Sequence, residues 1–173
     1  MQGHWKHIEL PEGDYLSVRE VFLLLLRLVS RLAFLSMPTA TNYPVCKLKE
    51  PFTVEVHPET FSYLYDLMKR AEDELRLQPH DSTQFDIICY CLRILRLNFH
   101  HMIASLTERQ TGLLADAATL HNIPPKLLEN LRTLLLRFIH WKIADKAPES
   151  LHSALKCTEI EACEALTVGF PLF

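Results

Sequence analysis

The sequence predicts an all-α protein, either an irregular helical bundle or a short α-solenoid of five to six helices. Three observations carry that prediction. Apolar residues recur at steps of three and four through several long segments, the period that places them on one helix face. Prolines fall between those segments or at their first position, where they end one helix or open the next. The chain has only 4 Gly, too few for a β-rich fold full of tight turns or for a glycine-rich phosphate loop.

The first helix is expected from Ser17 to about Ser36. Ser17-Val18-Arg19-Glu20 fits a capping box, and Pro38 stops the helix. Its run Phe22-Leu23-Leu24-Leu25-Leu26 looks membrane-like, but Arg27, Ser30 and Arg31 interrupt it. A spanning helix needs about 20 mostly apolar residues, and each mid-span arginine costs roughly 2.5–3.5 kcal/mol. The expectation is therefore a buried core helix over residues 1–36, covered on most sides. Residues 37–57 read as a linker containing Pro38, Pro44 and Pro51. Within it, Phe52-Thr53-Val54-Glu55-Val56 alternates like a short extended piece.

A helical core is expected over residues 58–146. Pro58 suits a first helical turn, and Phe61, Leu64, Met68, Ala71 and Leu75 form a stripe, with Lys69, Arg70, Glu72 and Glu74 on other faces. Gln78-Pro79-His80 breaks the helix, and Asp81 or Ser82 can cap the next. That helix carries Phe85, Ile88, Leu92, Leu95, Phe99, Met102 and Leu106. A second capping box at Thr107-Glu108-Arg109-Gln110 restarts the chain into a shorter helix with Leu113, Leu114, Ala117 and Leu120, ended by Asn122-Ile123-Pro124-Pro125. Leu127, Leu128, Leu131, Leu134, Leu135, Phe138, Ile139 and Ile143 make another strong helix that closes before Pro148. Residues 147–173 read as a weakly helical tail: Leu151, Leu155 and Ile160 give short pieces, Thr158 and Glu161 fit a capping box, and residues from Leu166 onward look loose. No repeat of fixed length is visible, so a regular armadillo or tetratricopeptide array is not supported.

Composition narrows the function classes. Hydrophobic residues at 49% and charged residues at 23% are ordinary globular usage, enough for a real core. A net charge of -3, from 18 basic and 21 acidic residues, argues against a nucleic-acid domain, which carries a basic face. The five cysteines, Cys46, Cys89, Cys91, Cys157 and Cys163, are odd in number and loosely spaced. Met1-Gln2-Gly3-His4-Trp5-Lys6 shows no basic-then-apolar leader. Together these predict reduced thiols in a cytoplasmic or nuclear protein.

Candidate sites are weak. Cys89 and Cys91, two apart on a helix, point about 200° apart and do not converge on one metal. His100 and His101 also diverge, without the i, i+4 spacing of a zinc helix. Their expected role is to complement the dipole near a helix C-terminus. Arg93, Arg96, Arg132 and Arg137 suggest a basic groove, but neighbouring acids balance them and solvated helix faces account for them. No strand-turn-helix elbow or glycine-flanked nucleophile positions a Cys/His pair. No catalytic, cofactor-binding or metal residue is assigned, and no cofactor is expected.

One stretch resembles a known family. Pro51-Phe52-Thr53-Val54-Glu55-Val56 leads into Thr60-Phe61-Ser62-Tyr63-Leu64, and after a polar break comes Leu92-Arg93-Ile94-Leu95-Arg96-Leu97-Asn98-Phe99-His100-His101-Met102-Ile103. This is similar to a helical segment of the giant HERC-type HECT ubiquitin ligases, and of very large HECT-domain ligases generally. There a P-F-x-V-acid-V/I opening precedes a T-F-x-x-L helix and a later L-x-x-L-R-L-x-x-H helix. The resemblance covers roughly a third of the chain, and its motifs are leucine-rich. It implies a noncatalytic scaffold segment in protein ubiquitination that positions substrates or neighbouring domains. The family's catalytic cysteine lies in a HECT domain that nothing here matches, so no catalytic residue carries over. The family's RCC1-like propeller has no counterpart here either.

Three hypotheses follow. A scaffold segment of a larger ligase, contacting neighbouring domains, should expose unmated apolar surface. A stand-alone adaptor binding a partner peptide or helix should present an apolar groove. A small thiol-dependent enzyme should hold a Cys within reach of a His in a cleft.

Overall fold

The computed structural model describes residues 7–9, 15–35, 57–108 and 122–173. A two-stranded antiparallel ribbon comes first: β1 (His7–Glu9) pairs with β2 (Tyr15–Ser17) in the register His7↔Ser17, Ile8↔Leu16 and Glu9↔Tyr15. Three residues per strand are too few for alternation to be read from sequence, so this ribbon was not anticipated. The rest is helical: α1 (Val18–Leu35), α2 (Pro58–Leu77), α3 (Ser82–Glu108), α4 (Pro125–Ile139) and α5 (Glu149–Gly169), followed by a 3₁₀ turn at Phe170–Leu172. The fold is an all-α helical bundle. The linker expected over 37–57 lies, His57 excepted, outside the described residues. So do the extended piece at Phe52–Val56 and the short helix with Leu113, Leu114, Ala117 and Leu120.

Helix starts follow the local chemistry. Pro58 and Pro125 occupy first positions, where the missing N–H has no intrahelical partner to lose. Asp81 caps α3: its Oδ1 accepts from the Thr83 amide at 3.0 Å and its Oδ2 from Gln84 Nε2 at 3.1 Å. Asn122 takes a left-handed φ of 53° in the turn leading to α4, a conformation asparagine tolerates better than most residues.

Cross-helix pairs give the helix directions. Phe61 of α2 meets Phe99 of α3, so the two run antiparallel as a hairpin. Between α3 and α5, Cys89 meets Cys157, Arg93 meets Glu161, and the Phe99 ring fills the space where a side chain at Gly169 would start, so these helices run parallel. Between α2 and α4, Glu72 meets Arg137, and Arg76 then sits over Trp141, again in parallel sense. The result is two antiparallel hairpins, α2–α3 and α4–α5, stacked with like helices parallel, as in the stacked helix pairs of α-solenoids. In α3 every residue from Leu95 to Phe99 is buried, as expected for a helix flanked by α1, α2 and α5.

Two expectations are corrected. First, residues 147–173 are not a weak tail. α5 is 21 residues long and packs more extensively on α3 than any other pair of elements in the bundle. Leu151, Leu155, Ala162 and Ala165 belong to the core, which therefore extends well beyond residue 146. The buried stripe Leu151, Leu155, Thr158, Ala162, Ala165, Gly169 has helical spacing throughout. It is built from small and polar side chains, so apolar periodicity underweights it. Those small side chains let α5 lie close to α3: a Cβ at Gly169 would stand 2.8 Å from Phe99 Cε2 and 2.9 Å from Phe173 Cε2. Thr158 is mid-helix rather than a cap, and its hydroxyl donates to the Ala154 carbonyl at 3.0 Å.

Second, α1 is not a buried core helix. Among residues 20–32, whose burial is described, Leu26 and Ser30 are the buried ones, the latter donating from Oγ to the Arg27 carbonyl at 2.8 Å. Leu24, Leu25, Leu28, Val29 and Leu32 are each about half exposed, at 54, 56, 55, 48 and 51%. Hydrophobicity alone does not say what covers a helix; among the described elements α1 packs chiefly on α3, with β2 beside it. No helix among the described residues is long and apolar enough to cross a membrane.

Candidate functional site

The chemistry-bearing side chains gather where α3 meets α5 and where α2 meets α4. On α3, Cys89 and Cys91 diverge as their spacing requires. Cys91 points into the apolar core, fully buried. Cys89 faces α5, with its Sγ 3.3 Å from Cys157 Sγ and 3.7 Å from Thr158 Oγ1. Burial pushes both thiols up, to about 12 each, with the neighbouring Cys157 adding to the effect at Cys89. A thiol held protonated at neutral pH is a poor nucleophile. Among the described residues no group of three or more His, Cys, Asp and Glu side chains could hold a metal ion.

His100 and His101 do not serve the helix dipole as expected. α3 continues to Glu108, about two turns further, whereas the dipole acts within the last turn. Burial lowers both imidazoles below their ordinary value, helped at His100 by the charge of Arg96. Both are half-buried, which favours the neutral form of each imidazole.

The arginines are not merely solvated faces. Arg93 Nε donates to Glu161 Oε1 at 2.6 Å, joining α3 to α5. Burial would lower the Arg93 guanidinium, but the bond and charge of Glu161 outweigh it and raise it. Arg96, only 7% exposed, lies 3.5 Å from Glu161 Oε2 and is paired with Glu164. Burial lowers its guanidinium despite Glu161 beside it. Arg137 reaches back from α4 to Glu72, with Nη2 3.1 Å from Oε2 and Nε 3.0 Å from Oε1. Arg132 alone of the four is a plainly exposed residue.

Glu72 is the residue that sequence reading misplaced. The apolar stripe of α2 leaves it on another face, yet it is fully buried. Lys69 Nζ and Arg76 Nη2 each bond it at 2.9 Å, and Arg137 closes the cluster from α4. The signal was available: Glu72 lies four residues after Met68 and directly beside Ala71, within the apolar stripe. Burial raises its carboxyl, but bonds from Lys69 and Arg76 and the charge of Arg137 prevail, holding it below the ordinary 4.5. A depressed folded-state value means the stabilisation is complete above pH 4.5 and is lost as pH falls through the folded value. Thermal midpoints of the wild type and Glu72→Gln should therefore differ most near neutral pH and converge below pH 4.5. A gap that stays constant into acid would show that Glu72 does not act through its charge.

A groove of about 510 Å³ lies between α1, α2 and α3. Phe22, Tyr63, Leu67 and Ile87 line it together with Arg70, Glu74, Gln78, Asp81 and Gln84. The resembling residues sit at α2 and α3, and Phe61, Leu64, Leu92, Leu95, Phe99 and Met102 among them are core side chains, while Pro51–Val56 lies outside the described residues. Compared with known proteins, the chain matches no family model, no curated protein and no solved structure.

Proposed function

We propose that the chain is a noncatalytic helical scaffold segment of a large HECT-type ubiquitin-protein ligase, positioning substrates or neighbouring domains through helix stacking. The outward face of α1 carries the reading. Leu24, Leu25, Leu28, Val29 and Leu32 form one continuous stripe at helical spacing, each about half exposed. Contiguous apolar faces of this kind mark interaction sites, and at the end of a stack of helix pairs the next pair covers such a face. The ligase parentage rests on the resemblance of α2 and α3, whose matching residues are interior, so that what they support is helix packing.

Light scattering and far-UV circular dichroism on the purified chain test the scaffold reading. The wild type should self-associate as concentration rises. Leu25→Glu/Leu28→Glu should remain monomeric with the same helical signal, because neither side chain is in the core. A wild type that stays monomeric and melts cooperatively at every concentration would sink it. For the parentage, an antibody against this chain should detect a polypeptide far longer than 173 residues that carries a thiol-sensitive ubiquitin adduct. A species of 20.1 kDa alone would refute it.

A second reading, a stand-alone adaptor binding a partner helix, is favoured by the groove lined by Phe22, Tyr63, Leu67 and Ile87. Loss of peptide capture on Tyr63→Ala, with α1 variants unaffected, would favour it over the scaffold.

A further inference from the structure

We propose that Cys89 and Cys157 are a redox modification site: a peroxide-class oxidant joins them in a reversible disulfide that locks α5 onto α3. Their sulfurs stand 3.3 Å apart, and a disulfide bond of ~2.05 Å needs only about 1.3 Å of further approach, within reach of small side-chain rotations. The two helices hold that approach in register on both sides. One turn back along α3, the Phe85 carbonyl accepts from Thr158 Oγ1 at 3.4 Å. One turn forward, Arg93 grips Glu161 at 2.6 Å. The pair thus sits between two tethers on a closely packed interface.

The two thiols are unequal in the way a two-step oxidation needs. Cys157 is half-buried, with Arg93 Nη2 3.8 Å from its sulfur, so an oxidant in solution meets Cys157 before the buried Cys89. Cys89 is buried and held protonated. Cys157 sulfur attacks one oxygen of hydrogen peroxide, the O–O bond breaks, and one water leaves, giving a sulfenic acid. Cys89 is a poor nucleophile toward groups in solution, but its sulfur is already held 3.3 Å from the Cys157 sulfur: the S–S bond forms as the S–O bond breaks, and the departing hydroxide takes the Cys89 proton and leaves as a second water. The two thiols lose two electrons in total and the peroxide gains them. A dithiol reductant reverses the step by thiol–disulfide exchange. Cys91, fully buried in the core, and Cys163, exposed on α5, are not part of this contact.

The test treats the full chain with hydrogen peroxide, alkylates remaining thiols, and maps linked peptides by mass spectrometry without reduction. Trypsin leaves Cys89 with Cys91 and Cys157 with Cys163. A Cys163→Ser background together with fragment ions split at Tyr90 therefore assigns the bridge. The expected result is a Cys89–Cys157 linked peptide that dithiothreitol removes, and a rise in thermal midpoint of roughly 5–10 °C in the oxidised form. Cys157→Ser, a change at a partly exposed position, should show neither. A bridge to Cys91 instead, oxidation of Cys157 to the sulfinic acid with no bridge, or an oxidised chain that melts no higher would each overturn the proposal. None of these outcomes depends on the scaffold reading.

Discussion

Phe99→Ala is expected to lower the thermal midpoint by about 8–16 °C. Phe99 is fully buried in α3, with Phe61 of α2 at 5.7 Å between ring centroids and Phe173 edge-on at 5.6 Å. It also fills the space opposite Gly169, so one ring joins α2, α3 and the end of α5. Truncating such a ring removes its transfer energy and leaves a cavity between rigid helices, a loss of about 4 kcal/mol. In a chain of this size each kcal/mol moves the midpoint by about 2–4 °C. A companion variant tests the geometry. Gly169→Ala forces a methyl against the ring and should destabilise the wild type, while costing less in the Phe99→Ala background, where the space is free. Additive effects would show that the two positions do not share that space.

Glu161→Ala is expected to cost about 3 kcal/mol. Glu161 is nearly buried and holds Arg93 at 2.6 Å and Arg96 at 3.5 Å. Arg93 can turn partly to water, but the Arg96 side chain is only 8% exposed and would be left with Glu164, itself half exposed. Removing one partner of a buried ion pair costs more than the pair is worth, because the remaining charge stays desolvated. The double variant Arg96→Leu/Glu161→Leu should therefore be less destabilised than Glu161→Ala, since neither charge is then stranded. Denaturant unfolding of the three chains measures this. A double variant less stable than the single one would mean that the ion pair contributes net stability.

How legible each element was depended on the size of its buried side chains. α2, α3 and α4 could be read almost residue by residue, because Phe61, Met68, Phe85, Phe99, Leu131 and Phe138 are large, apolar and regularly spaced. α5 has equally regular spacing, but its interface is made of Ala162, Ala165, Gly169 and Thr158, whose value lies in how close they let a partner come. A single-helix pattern does not register that. For α1 the error ran the other way. Its side chains are mostly apolar, broken by Arg27, Ser30 and Arg31, and apolar character records what a helix could bury, not which faces meet a neighbour.

The ionic residues show the same division. Asp81 as a cap and Pro58 as a helix opener follow from interactions within a few residues, which the sequence contains in full. Glu72 has Lys69 and Arg76 from its own helix but gains Arg137 only when α4 packs beside it, and Glu161 is paired because α3 brings Arg93 and Arg96, from 65 and 68 positions away in the clearest cases. The Cys89–Cys157 contact arises in the same way.

The sequence by itself thus determined the all-α class, the buried stripes of the large-residue helices, the Asp81 cap and the divergence of Cys89 from Cys91, since these are set by backbone geometry and near neighbours. It carried α4 too far, to Ile143, where the helix ends at Ile139, and placed a helix restart at Thr107, which lies inside α3. Only the tertiary structure decided that α3 and α5 run parallel in close contact, which charges are buried, which thiols meet and which face of α1 is left open. Those depend on contacts between segments distant in the chain, and periodicity within one segment carries no record of its partner.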